Sequence, residues 1–141
     1  MTTLAGGRFA MLVVAILAVA AMAFAQTPFE TQRATAVQHA GFSMEADEHD
    51  MAVRHLGHVL NCIAGEGGEG FDASWGHPCA GQGEGLLNDL AGQAHADDLG
   101  AVLRAAHGLA MAGVEEDSLA AVQAAAAGVR ALLLVIEERG G

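Results

Sequence analysis

The chain has no lysine, and its only fixed cations are six arginines against 17 aspartates and glutamates. So acidic a surface repels nucleic acid and anionic membrane alike, which leaves cations, basic proteins or neutral small molecules as partners. Several chemistries are missing at the level of motifs. No Cys-x-x-Cys-His occurs, so covalent c-type haem is excluded, and b-type ligation by Met51 or His55 with His95 is the weaker reading that is left. The Glu-x-x-His pairs of di-iron bundles are absent. Glu66, Glu69, Asp72 and Glu84 lack the spacing of an EF-hand calcium loop. There is no Gly-x-Ser-x-Gly elbow, Ser/His/Asp order or phosphate-cradling loop. Hydrolytic and nucleotide chemistry therefore have no residues to stand on, and the chain is read as non-enzymatic. No strand periodicity is present either.

What is present begins with an export signal. Arg8 precedes an apolar run from Phe9 to Phe24, and Ala23 and Ala25 supply the small residues a signal peptidase requires before Gln26. The run is shorter than the ~20 residues a membrane span needs. Residues 1–25 are thus read as a signal peptide and 26–141 as one domain, periplasmic or secreted, with no membrane attachment after cleavage. The mature chain keeps five arginines against 17 acids, a charge of −12 with histidine neutral.

The mature sequence reads as four helices. Thr27-Pro28-Phe29-Glu30 has a capping residue, proline at the first helical position and a glutamate for a capping box, so a helix is expected over 28–41. Gly41-Phe42-Ser43 reads as a break, with Ser43 capping a second helix over 44–64. On that helix Ala52, Val53, Leu56, Val59, Leu60 and Ile63 form the apolar face, joined by His49. Met44, Glu48, Met51, His55, His58 and Cys62 lie along its flank. A third helix over 86–112 carries His95 in the middle of its apolar face, and a fourth over 115–138 is the most apolar. The fold class is all-α, an antiparallel four-helix bundle with a long loop between helices two and three.

That loop holds eight of the 19 glycines between residues 65 and 85. Cysteines in an exported chain pair, so Cys62 and Cys79 are expected to form a disulfide that clamps it, worth ~3 kcal/mol in the chain-entropy model. His55-x-x-His58-x-x-Asn61, Gly65, Phe71-Asp72, Pro78 and Gly81-x-Gly83-x-Gly85-Leu86-Leu87 together resemble a module of exported, all-helical bacterial domains of uncharacterised function. The likeness covers about 33 of the 141 residues. It carries no activity to transfer, and this chain differs in having Cys62 and Cys79 and fewer loop acids.

Two functional readings follow. His55 and His58, three apart on a helix, can converge on one ion. If helices two and three are antiparallel, His95 comes level with His55, giving a copper or zinc site of His55, His58 and His95. Met44 and Met51 on the same stripe read as packing rather than as a copper relay. The alternative is a structural or interaction module, without metal, whose 65–85 loop presents Phe71, Trp75 and His77 to a protein partner.

The processing expectation is tested by intact mass. The exported protein should begin at Gln26, and retention of residues 1–25 would make it a membrane-anchored protein instead.

Overall fold

The computed structural model describes residues 26–140, with side chains through Glu137. The signal-peptide expectation over 1–25 therefore lies outside the described residues. Those residues are all-helical: α1 (Pro28–Glu45), α2 (His49–Ala64), α3 (Leu86–Asp89), α4 (Ala96–Val114) and α5 (Leu119–Gly140), with 3-10 turns at Ala73–Trp75 and Leu90–Gly92. Residues 26–140 contain no strand.

The start of α1 follows its sequence signature. Thr27 Oγ1 accepts from Glu30 N at 3.2 Å, and the Glu30 carboxylate accepts from Thr27 N at 2.8 Å. Its end does not follow. The helix runs through Gly41 to Glu45, and α2 begins only at His49. Ser43 is buried inside α1 and donates its hydroxyl to the Ala52 carbonyl at 2.8 Å, so it bolts the two helices together instead of capping the second. An interior glycine costs about 1 kcal/mol against alanine, which this tertiary closure outweighs. His49 lies at the start of α2, off the core, with Nε2 2.8 Å from the Glu116 carbonyl.

The expected third helix is two pieces. α3 ends at Asp89, whose carboxylate accepts from Gln32 Nε2 at 2.7 Å and from Glu84 N at 2.9 Å. The chain then turns through Leu90–Gly92 and restarts at Ala96, where Asp97 and Asp98 occupy the helix N-terminus that acids favour. His95 sits at this junction, with φ 59° and ψ 30°. It is the one described non-glycine residue with positive φ.

α1 packs on α2 and α5, α4 packs on α5, and α2 lies against both α4 and α5. Leu56, Val59, Leu60 and Ile63 of α2 meet Leu99 and Leu103 of α4 and Val122, Val129, Leu133 and Ile136 of α5 in a fully buried core. α5 is long and apolar enough over Leu119–Glu137 to cross a membrane by length and composition. Here its Val122–Val129–Leu133–Ile136 stripe forms a wall of that core. α1 contributes alanines and polar groups: Ala36, Ala40 and Gln32 are fully buried, and Arg33 reaches Glu137 at 3.1 Å.

The loop between Gly65 and Gly85 is ordered by four devices. The Cys62–Cys79 disulfide spans it, with Cα atoms 5.3 Å apart. Gly65, at φ 73°, and Gly85 meet backbone to backbone: a Cβ on residue 65 would stand 2.0 Å from the Glu84 carbonyl oxygen. The loop thus leaves and returns at one point, as Ω-loops do. Buried Gln32 accepts from Gly85 N at 2.9 Å, tying the loop exit to α1. Most of the anchoring comes from Asn61, whose side chain donates to the Asp72 and Gly76 carbonyls at 2.8 and 2.7 Å and accepts from Asp72 N at 2.9 Å.

Asn61→Ala removes three part-buried bonds at once, each worth about 0.5–1.5 kcal/mol net. Urea denaturation should find the variant destabilised by at least ~2 kcal/mol, with amides 70–76 losing hydrogen-exchange protection first. Full protection there would contradict the assigned role.

Candidate metal centre

The hairpin of α1 and α2 turns near residue 47, so residues equidistant from the turn face each other. His39 of α1 thereby meets His55 of α2, with His58 one turn further along. His39 Nδ1 lies 3.2 Å from His55 Nδ1 and 3.1 Å from His58 Nδ1. One ring nitrogen from each of the three lies within 4.8 Å of the others, the one such group of three histidine, cysteine or carboxylate side chains among the described residues. Phe42 packs near the His39 and His55 rings, with centroids 5.4 and 5.3 Å away. All three histidines are half-buried.

His58 is oriented from outside the cluster. Its Nε2 points at the Trp75 carbonyl at 2.5 Å, so that nitrogen carries the hydrogen and Nδ1 presents a lone pair to His39. Backbone carbonyls hold metal-bound histidines in the same way. Trp75 can reach this point because residue 57 is glycine: a Cβ there would stand 2.3 Å from the indole.

The three rings favour their neutral forms. Burial, then the positive charges that His58 and His55 would carry, push His39 down to about 4. His55 is lowered by burial, then by His58 and Arg54. Burial also lowers His58, against the raising effect of its bond to Trp75. Neutral imidazole is the ligand form, so protons compete little for this site near neutral pH. His39 Nδ1 holds at most one hydrogen, so it cannot direct a linear bond to both neighbouring nitrogens at once. Two nitrogens bound to one ion at ~2.0–2.1 Å stand ~3–4 Å apart, the separation His39 keeps from each partner.

His95 is not part of this group. It is exposed at the start of α4, because the break after Asp89 takes it off the apolar face that a continuous helix would have given it. His77 lies in the loop with 13% of its side chain exposed, edge-on to Phe71 at 5.2 Å, its Nδ1 3.8 Å from the Glu66 carboxylate. Phe71 and Trp75 are half-buried, Trp75 against the core. Asp72 caps the 3-10 turn by accepting from Ser74 N at 2.8 Å. Cys62 and Cys79 are joined to each other, so neither is a thiolate ligand.

Metal-free protein should show the His39 shift as a pH dependence of stability. His39 in the unfolded chain titrates near 6.5, against about 4 when folded, so between those values the unfolded chain binds more protons. Stability is complete above pH ~6.5 and is lost as pH falls toward ~4. Chemical denaturation in chelator should give a positive slope in this window, shallower in His39→Asn, and NMR should find His39 titrating well below its unfolded-chain value. Titration of His39 at its ordinary value would show that the ring is not buried in this cluster.

No protein-family model matches the chain, and no curated protein or solved structure is significantly similar to it.

Proposed function

We propose that this is an exported, non-enzymatic protein that binds a transition metal, copper or zinc, through His39, His55 and His58. The observation that carries it is the convergence of three half-buried, neutral imidazoles whose Nδ1 atoms keep ligand spacing around His39, with His58 held by the Trp75 carbonyl. Copper and zinc are the divalent ions best matched to an all-imidazole set. The scaffold is an antiparallel bundle of four long helices, in which the disulfide-clamped loop serves to orient a ligand. The disulfide favours an oxidising compartment, periplasmic or extracellular, in keeping with the sequence resemblance to exported helical domains. A mature charge of −12 keeps nucleic acid and anionic membrane away and draws cations in. The half-buried Phe71, Trp75 and His77 offer a protein partner little free surface, which disfavours the interaction-module reading.

Calorimetry or competition with a chromophoric chelator, using copper(II) and zinc(II), tests the site. His39→Ala, His55→Ala and His58→Ala should each weaken binding by more than the ~10–100-fold that an outer-shell partner costs, while His95→Ala leaves it unchanged. Wild-type affinity in the His39 variant, or loss in the His95 variant, would overturn the assignment.

A further inference from the structure

A surface cleft borders the histidine cluster at His55. This cleft of about 500 Å³ is lined by Phe42, Glu45, Ala46, Asp47, Glu48, Met51 and His55, so His55 belongs both to the cluster and to the cleft wall. Met51 lies one turn before His55 on the same face of α2. The described large apolar side chains exposed to solvent are Phe42 at 41%, Met44 at 37% and Met51 at 41%, all three flanking the α1–α2 turn. Met44 and Met51, read from the sequence as packing, lie at the surface and outside the core.

Resting on the three-histidine assignment, we infer that this cleft admits copper(I), with the Met51 thioether as a rim ligand that holds the ion together with His55. Three features favour that ion. Thioether sulfur is a soft donor that selects copper(I), whereas zinc takes imidazole, thiolate and carboxylate. The disulfide consumes both thiols, so methionine is the remaining sulfur ligand, and it needs no deprotonation. Glu45, Asp47 and Glu48 line the cleft and raise the local concentration of cations there, while as hard oxygen donors they bind a soft ion weakly once it arrives. The ion thus crosses an acidic rim to a place where the Met51 sulfur and the His55 nitrogen bind it together.

The test compares wild type, Met51→Leu and His39→Ala, using copper(I) held reduced by ascorbate, which spares the disulfide, and zinc(II) in parallel. Copper(I) affinity and uptake are read by competition with a chromophoric copper(I) chelator. Met51→Leu should weaken or slow copper(I) binding by about 10-fold and leave zinc unchanged, while His39→Ala loses both ions. X-ray absorption of the copper(I)-loaded wild type should contain a sulfur scatterer that is missing from the Met51→Leu protein. Unchanged copper(I) behaviour in Met51→Leu, equal losses for both ions, or no sulfur scatterer in the wild type overturns the inference while the three-histidine site stands. Binding of neither ion by the wild type overturns both.

Discussion

Everything distinctive about this molecule depends on how closely the Gly65–Gly85 loop can approach α2. The approach is possible because residue 57 has no side chain, so the Trp75 indole occupies the space a Cβ would need. It is made permanent by Asn61, one turn further along, and by the disulfide beside it. Alone, a glycine-rich segment of this length would be too costly in backbone entropy to hold one conformation. Fastened at both ends and at its middle, it becomes a rigid lid over one flank of the helix. The Trp75 carbonyl then stands where His58 Nε2 needs an acceptor.

That carbonyl links the fold to the chemistry. A histidine on a helix flank ordinarily has a choice of rotamer and of tautomer, and a metal must impose both on binding. Here the loop has already chosen for His58. His39 is supplied by the neighbouring helix through a hairpin closed by Ser43 and reinforced from α5, where Gln123 donates to the Met44 and Ala46 carbonyls. The site is thus assembled from two helices and a loop, each fixed by polar contacts separate from the imidazoles. Preorganisation of this kind lowers what an ion must spend in ordering its ligands.

Several of these features were legible in the chain. The capping box at Thr27, the all-helical class and the pairing of Cys62 with Cys79 all rest on local or compositional physics, and all are present. His55 and His58 were legible as a pair because helical periodicity by itself puts residues three apart on one side. His39 was missed. The level arithmetic that paired His95 with His55 across the long loop brings His39 opposite His55 only when the short turn lies near residue 47, whereas the break expected at Gly41-Phe42-Ser43 sets His39 opposite residue 45. The chain also held a warning about His95: Asp97 and Asp98 are acids of the kind that open a helix, and they lie inside the segment read as continuous.

Sequence alone determined what short-range rules govern: which stretches are helical, how the first helix is capped, which sulfurs pair, and that His55 and His58 share a face. Tertiary structure decided where helices stop and which histidine completes the set. Gly41 and Ser43 are a break by propensity but lie inside a helix, because Ser43 finds a partner nine residues on in α2. α3 ends at Asp89, whose carboxylate Gln32, 57 residues away, ties to α1. Bonds between residues so far apart leave no periodic trace in the chain, so the position of His95, and with it the third member of the site, followed only from the packed fold.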